Sequence, residues 1–288
     1  MASAYRELTA DPNRKVLVVA GTHEEIGRIT YAIREGIKQG GDLGPGKIFE
    51  RHTPLQWTEA RKKDLSNYQQ GQVLLFHRSS HGIARNEALV VERSDRSHII
   101  ARDLNGVERM VSPTQARSFS MHECHPVEVA PGDRLLLTGN RREAGFRATN
   151  GELAKVRSVD GGRIQLEDGR TLPANYHEFD HGYAITAHRG QGKTVDAVVL
   201  SGDGMKQEQF YVAASRGREG ITVITSDVDR LRESLGISSA RPSATELTRE
   251  QTRQSELAHG VALVPEPQID PLKIGREIGY GHDLGIGF

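Results

Sequence analysis

The stretch that decides the fold lies between Tyr183 and Thr225, and it contains two short motifs. The first reads Thr186-Ala187-His188-Arg189-Gly190-Gln191-Gly192-Lys193-Thr194-Val195-Asp196, and the second reads Phe210-Tyr211-Val212-Ala213-Ala214-Ser215-Arg216-Gly217-Arg218. The apolar runs around them are typical of parallel strands, and the helical pattern returns at Met205–Ser215 and Val228–Leu235. We therefore predict that the two motifs lie on neighbouring strands of one small α/β unit.

The start of the chain belongs to the same kind of unit. Lys15–Ala20 is a short apolar run, which predicts a buried strand. The sequence Thr22-His23-Glu24-Glu25 is a capping box, and isoleucines then recur at helical spacing as far as Gly40-Gly41. A strand that leads directly into a capped amphipathic helix is the opening of a βα unit.

The region between these two parts has a different pattern. From Gly71 to Pro173, short β-like runs alternate with turn residues, and the pattern that starts at Gly71 repeats loosely from Gly132. Each copy has the length of a small five-stranded barrel, so we predict two SH3-like β modules in tandem; one continuous irregular sheet is the alternative. The predicted divisions are residues 10–45 with 180–236 (α/β domain), 46–70 (connecting helical segment), 71–130 and 131–179 (β modules), and 237–288 (tail or linker).

Composition limits the possible functions of this chain of 288 residues. Its formal net charge is zero, so a nucleic-acid surface would have to be local. A local excess of positive charge occurs between Arg134 and Arg157, a stretch that contains six basic residues and two acidic ones. Cys124 is the only cysteine, which excludes an internal disulfide and fits a reducing compartment. With no long apolar run, the sequence predicts a cytoplasmic protein without membrane insertion.

Three tempting motifs do not fit their usual chemistry. Residues 187–194 nearly match a phosphate loop, but β-branched residues follow Thr194 where that loop needs a helix. His177-Glu178-Phe179-Asp180-His181 matches a zinc-protease motif, yet its surroundings predict a turn entering a strand. His122-Glu123-Cys124-His125 has no second ligand pair. We therefore predict no metal site and no phosphate loop.

Taken together, the two motifs resemble the last helicase motifs of the RecD-like branch of superfamily 1, and especially the C-terminal motor of MobF-class conjugative relaxase-helicases. The residues that carry the resemblance are Tyr183, Ala184, Thr186, His188, Gln191, Gly192 and Phe210 to Arg216, with Val19–Thr22 and Ile33-Arg34. Thr30 stands where the family usually has asparagine. The resemblance covers about residues 12–247 and implies a RecA-like parallel-sheet domain interrupted by the two SH3-like modules.

The resemblance also implies roles for individual residues. Arg216 would be the arginine finger and Gln191 would act beside the γ-phosphate, with Gly192, Arg34 and Arg218 as further nucleotide contacts. A salt-bridged surface arginine is the alternative for one member of the Arg216/Arg218 pair, and a core position is the alternative for His188. Single-stranded DNA would contact the remaining candidates, which are Thr186, His188, Arg189, Thr138, Asn140, Arg141, Arg142, Arg147 and Asn150. With few aromatic residues among the basic ones, base stacking is expected to contribute little.

Two hypotheses follow. In the first, the chain is the second motor half of an ATP-dependent DNA helicase, and an ATP-binding domain in cis or on another chain holds ATP with Mg²⁺. The chain alone would then hydrolyse almost no ATP, and partners from the conjugation machinery are possible. In the second, the motor fold is vestigial, and the chain is a non-catalytic module that docks DNA or protein.

Overall fold

The computed structural model describes residues 1–11 and 13–236, and the predicted tail 237–288 lies outside the described residues. The helices are α1 (Ala2–Leu8), α2 (His23–Gln39), α3 (Glu59–Lys63), α4 (Gln207–Ala214) and α5 (Val228–Leu235). The first nine strands are β1 (Val16–Ala20), β2 (Lys47–Pro54), β3 (Val73–Phe76), β4 (Ala88–Ser94), β5 (Ile99–Arg102), β6 (Glu108–Val111), β7 (Phe119–Val129), β8 (Arg134–Leu137) and β9 (Arg141–Glu143).

The remaining strands are β10 (Phe146–Ala148), β11 (Glu152–Asp160), β12 (Arg163–Leu166), β13 (Phe179–His181), β14 (Ala184–Thr186), β15 (Val195–Ser201) and β16 (Gly217–Ile224). Short 3-10 turns occupy Leu65–Asn67, Pro113–Gln115 and His188–Gly190. Among the described residues, no helix combines the length and hydrophobicity needed to cross a membrane.

A four-stranded parallel sheet joins the two ends of the described chain, in the order β14-β1-β15-β16. Side chains of β1 alternate between its faces. Val16, Val18 and Ala20 pack with α1 and α2, whereas Leu17 and Val19 pack in the core that contains Ala213 of α4. The predicted α/β fold with a parallel sheet is confirmed. The two motifs reach neighbouring strands as predicted, because the first ends on β15 and the second on β16, with Val195 opposite Gly217.

The start of α2 agrees with its capping pattern. The Thr22 hydroxyl accepts a hydrogen bond from the Glu25 amide at 3.2 Å. Glu25 in turn accepts from the amide of Gly21 at 3.3 Å and from the hydroxyl of Ser201 on β15. The cap therefore fixes the helix start against the parallel sheet.

The middle of the chain forms two antiparallel assemblies, each with its own core. The first is a six-stranded sheet, β2-β7-β3-β4-β5-β6, and the second combines the sheet β12-β11-β8-β13 with the hairpin β9-β10. An SH3-like barrel topology remains a proposal. The prediction of a helical connection over 46–70 is wrong in its first part, because Lys47–Pro54 is a strand that pairs with β7 from Lys47↔Val129 to Pro54↔His122.

Strand β8 packs the second assembly against the parallel sheet. Leu135 and Leu137 belong to the core of the assembly, while Leu136, on the opposite face, packs in the same core as Leu17 and Val19 of β1. Arg134 adds a hydrogen bond from its guanidinium to the carbonyl of Val16 at 3.0 Å. One strand therefore contributes to both cores, as the alternation of strand side chains allows.

Candidate nucleic-acid and nucleotide interface

A cavity of about 1190 Å³ lies between α2, β14 and the two antiparallel assemblies. Four of the predicted DNA-binding residues line it: Thr186 and Arg189 from the first motif, and Thr138 and Asn150 from the second assembly. The two pairs come from separate parts of the sequence, and only the fold brings them to one cavity. The volume exceeds the roughly 300–1,000 Å³ of most small-molecule pockets, so there is room for an extended ligand.

Local hydrogen bonds hold these four residues in place. The Thr186 hydroxyl accepts a hydrogen bond from the Arg189 amide at 3.3 Å, where β14 passes into the 3-10 turn His188–Gly190. The Thr138 amide donates to the carbonyl of Glu178 at 2.7 Å. The Asn150 amide donates to Oδ1 of Asn140 at 2.9 Å, so the Asn140 side chain supports a turn.

A second groove, of about 470 Å³, continues from Arg189 and Asn150 along the first motif. One side is the turn Thr149–Glu152, and the other contains His188, Gln191 and Lys193. His188 is exposed, so the alternative of a core histidine is wrong. Burial lowers the pKa of Lys193, and the charge of Arg134 lowers it further, while Glu152 opposes both. The groove therefore combines a histidine, an arginine and a lysine in a setting suited to an anion.

The two arginines of the second motif differ in their partners. Arg218 is largely exposed and forms an ion pair with Asp196 of β15. Arg216, half-buried after α4, donates from Nε to the carbonyl of Val212 at 3.1 Å and from a terminal nitrogen to the Ser215 hydroxyl at 2.9 Å. None of the ion pairs among residues 1–11 and 13–236 includes Arg216. The salt-bridge alternative thus applies to Arg218, and we withdraw Arg218 from the nucleotide contacts.

The two motifs meet directly: the Val195 amide of the first donates a hydrogen bond to the Arg216 carbonyl of the second at 3.0 Å. Helix α4, which leads to Arg216, packs against the 3-10 turn His188–Gly190 of the first motif. Just beyond this turn, Gln191 and Gly192 are exposed, and Gly192 has a φ of 76° with no atom within 4 Å of a built Cβ. That backbone conformation and that open space suit close approach of a phosphate group to the main chain.

Arg34 lines the large cavity and not the groove that contains Gln191, which corrects its assignment as a nucleotide contact. Its guanidinium binds both carboxylate oxygens of Asp133, at 2.9 and 3.0 Å, and Oε2 of Glu128 at 2.9 Å. Burial alone would lower the pKa of Arg34, but the hydrogen bonds and the negative charges of Asp133 and Glu128 together outweigh burial and raise it. Arg34 connects α2 to the second assembly and is a structural residue.

The three arginines that were predicted to contact phosphate in the hairpin β9-β10 differ in their burial and partners. Arg141 is 3% exposed, donates to Oδ1 of Asn175 at 3.1 Å and lies 5.4 Å from the centre of the Tyr176 ring, so its assignment to DNA is wrong. Arg142 and Arg147 are exposed and directly opposite each other on β9 and β10. Neither has an ion-pair partner among the described residues. Two adjacent like charges repel each other, so this pair is suited to bind a shared anion.

Two of the rejected motifs lack the helix that their usual chemistry needs, although strand β13 stands where the sequence predicts a turn. Thr194 is followed by strand β15 and not by a helix, and Phe179–His181 is strand β13. Side chains of the metal-ligating type do cluster at another place, where Glu50, His52 and Cys124 have ligand atoms within 4.8 Å of one another. Cys124 belongs to the segment His122–His125 that the sequence analysis rejected as a metal site, but its neighbours here, Glu50 and His52, come from β2. Three ligands are fewer than the four of a closed zinc site, and the prediction of no metal remains untested.

No protein-family model matches the chain. The chain is similar to a probable conjugal transfer protein TraA of Sinorhizobium fredii (strain NBRC 101917 / NGR234), with 36% identity over 103 residues, or 33% of this chain and 9% of that protein. It is also similar to a conjugal transfer protein TraA of Rhizobium radiobacter, with 28% identity over 136 residues, or 42% of this chain and 12% of that protein. The chain spans only a small part of the length of these relatives.

Solved structures of helicases give looser matches. A Pif1 helicase from Bacteroides in complex with ADP-AlF3 and ssDNA is 15% identical, with coverage of 88% of this chain and 50% of that chain and a TM-score of 0.29. The Pif1 helicase from Candida albicans is 13% identical, with coverage of 88% and 54% and a TM-score of 0.29. At these TM-scores no residue role is transferred from either structure.

Proposed function

We propose that the chain is the second motor half of a RecD-like DNA helicase of the kind found in conjugative relaxases. In this role it binds single-stranded DNA and supplies an arginine to a nucleotide that another domain, in cis or on a separate chain, holds. The names of the TraA relatives support an origin in conjugal transfer. Contacts with other components of the conjugation machinery and a cytoplasmic location belong to the same proposal.

The observation that carries the proposal is the convergence of Thr186, Arg189, Thr138 and Asn150 on one cavity. The first two belong to the motif that resembles a DNA-coupling segment of a motor, and the other two belong to the antiparallel assembly. The exposed pair Arg142 and Arg147 on the same assembly provides charge for the phosphate backbone. A strand of DNA between these elements would contact both parts of the protein.

In this proposal the nucleotide is ATP with Mg²⁺. The chain supplies only some of the residues that would contact it. Arg216, which has no carboxylate partner in the part of the chain that the structure describes, can approach the developing charge on a transferred phosphoryl group. Gln191 can orient a water molecule or sense the phosphate. The backbone at Gly192 is open to close approach. The bound nucleotide supplies the phosphoryl group that is cleaved. The phosphate loop and the magnesium carboxylate come from the other domain.

The test is DNA-stimulated ATPase activity with a candidate ATP-binding half supplied. Arg216→Ala is expected to lower the rate by roughly 10³- to 10⁵-fold, as the loss of an arginine finger does. Arg218→Ala is the matched control, two residues away and already ion-paired, and should retain most of the activity. Equal rates for wild type and Arg216→Ala would contradict the motor role and favour the docking module.

A further inference from the structure

The six-stranded sheet brings three side chains of metal-ligating type together on one of its faces. One face belongs to the hydrophobic core of the first assembly, whereas Cys124 of β7 packs on the opposite face, against Val73 and Leu75. Glu50 and His52 lie two residues apart on β2, and His52 is paired directly with Cys124. The ligand atoms of Glu50, His52 and Cys124 lie within 4.8 Å of one another. The pairing of two polar strands therefore collects an oxygen, a nitrogen and a sulfur ligand at one point.

The His52 ring in this cluster lacks a hydrogen-bond partner. His52 is 6% exposed, and within residues 1–11 and 13–236 its ring makes no hydrogen bond but stacks on the ring of His177, with centres 4.5 Å apart. The amide of His52 donates to the His177 carbonyl at 2.8 Å, which fixes the backbone beside the ring. Buried polar groups are normally satisfied, because an unpaired one costs its desolvation free energy. A metal ion between His52, Cys124 and Glu50 would supply the missing partner.

The distances and charges of the cluster fit a zinc ion. Zn²⁺ forms bonds of about 2.0–2.3 Å, and a tetrahedral arrangement then places its ligand atoms about 3.3–3.8 Å apart. From separations within 4.8 Å, the three atoms need to approach one another by at most about 1.5 Å. A thiolate and a carboxylate together carry two negative charges, which a divalent cation neutralises. Thiolate and imidazole ligands favour Zn²⁺, whereas Mg²⁺ and Ca²⁺ prefer oxygen ligands.

The thiol of Cys124 and the neighbouring Arg51 do not oppose such an ion. Burial raises the pKa of Cys124, and the charge and hydrogen bond of Glu50 raise it further. A coordinated thiol nevertheless loses its proton, because the charge of the cation dominates its surroundings. Arg51 lies between Glu50 and His52 in the sequence, but strand alternation directs it to the other face, where it pairs with Asp180. No cation therefore competes for the two acidic ligands.

We propose that Glu50, His52 and Cys124 form a binding site for Zn²⁺, with a fourth position left for an exchangeable ligand such as water. Structural zinc sites use four protein ligands, whereas sites with three keep one position for an external ligand. Glu50 is exposed and Cys124 is half-buried, so the ion can enter from solvent. This inference goes beyond the proposed function and does not depend on it. It opposes the expectation from sequence that the chain has no metal site.

The test uses Co²⁺, which occupies zinc sites and shows a charge-transfer absorption band when a thiolate binds it. The whole chain, freed of metal with EDTA, is titrated first with Co²⁺ and then with Zn²⁺. Because Cys124 is the only cysteine of the 288 residues, this band reports directly on the site. We expect one equivalent of Co²⁺ to produce the band, Zn²⁺ to displace it, and excess Mg²⁺ to have no effect. Absence of the band would overturn the proposal.

Two variants and a control separate the site from adventitious binding. Cys124→Ser should abolish the band. Glu50→Gln should weaken Co²⁺ and Zn²⁺ binding by at least about 10- to 100-fold, the cost of losing even a hydrogen-bond partner of a ligand. Glu123→Gln is the matched control, because Glu123 is also an exposed acid and pairs with His125 on the opposite face, and it should bind like wild type.

A band that persists in Cys124→Ser would overturn the site. Equal affinities for Glu50→Gln and wild type would show that the thiol binds the ion without Glu50, and the three-ligand site would be wrong. Since Glu50 is exposed, its substitution should leave folding unchanged. None of these outcomes affects the motor proposal, whose ATPase test depends on Arg216 and not on this cluster.

Discussion

Arg34 and Asp133 form a bidentate ion pair in the interior, between a helix of the α/β domain and the second antiparallel assembly. The Asp133 carboxylate is fully buried, and it accepts further hydrogen bonds from the Ala130 amide and from the Tyr183 hydroxyl, both at 2.8 Å. Tyr183 directly precedes β14, which leads to the first motif. The pair therefore fixes the assembly, α2 and the start of the motif in one arrangement.

Removal of Arg34 is predicted to destabilise the whole described region. Arg34→Ala leaves the buried Asp133 carboxylate without its cation, and breaking such a pair costs about 3–5 kcal/mol of unfolding free energy. Lys38→Ala is the matched control, because Lys38 is exposed and binds only Glu128, and it should cost less than about 1 kcal/mol. Urea unfolding followed by circular dichroism measures both. Similar losses for the two variants would contradict a structural role for Arg34.

The exposed arginine pair is predicted to set part of the salt dependence of DNA binding. For single strands, each phosphate contact contributes about 0.7 to the slope of log affinity against log salt. The double variant Arg142→Ala/Arg147→Ala should therefore lower the magnitude of that slope by about 1.4. Arg102→Ala, which removes an exposed arginine paired with Glu92 on the first assembly, should leave it unchanged. An unaltered slope in the double variant would exclude the hairpin from the DNA interface.

Stability is predicted to fall between pH 6.5 and pH 5 because of two buried histidines. Burial lowers the pKa of His52 to about 3, with help from the charges of His177 and His122, and burial lowers the pKa of His122 to about 4. The unfolded chain binds these protons at higher pH than the folded one. The contribution of the two neutral histidines to the free energy of unfolding is therefore complete above pH 6.5. It is lost as the pH falls toward their folded pKa values, and the loss reaches about 2 kcal/mol per histidine at pH 5.

Unfolding in urea at pH 7.5 and pH 5.0 measures this loss. His122→Gln removes one of the two groups and should reduce the difference between the two pH values. His125→Gln replaces a partly exposed histidine on the same strand and should not reduce the difference. A pH dependence that stays the same in His122→Gln would show that other groups cause it.

Gly192 is predicted to tolerate a side chain less well than Gly190, two residues earlier. At a φ of 76°, alanine is strained by about 1–2 kcal/mol although the space beside it is open. In Gly190→Ala, the added Cβ would lie 3.5 Å from Leu17, an ordinary contact without that backbone strain. Thermal unfolding of the two variants compares the costs, and a larger loss for Gly190→Ala would contradict the assigned turn.

Patterns that depend on neighbours in sequence predicted much of this fold. Helix α5 has the predicted bounds Val228–Leu235, strand β1 lies within the predicted run Lys15–Ala20, and the cap at Thr22 is present. Strands β2 and β7 escaped prediction because they are polar, and because Pro126 within β7 argues against a strand. Each is stabilised by pairing with the other, from Lys47↔Val129 to Pro54↔His122, and residues so far apart give no local signal.

The sequence by itself determined the βα opening, the parallel-strand character of β14 and β15, and the absence of a helix after Thr194, because short-range sterics and periodicity decide them. The tertiary structure alone decided which arginines remain free: Arg34, Arg141 and Arg218 have carboxylate or amide partners from distant parts of the chain, whereas Arg216, Arg142 and Arg147 have no ion pair among the described residues. The cavity wall is likewise a tertiary product, because burial and partners depend on the fold and not on spacing.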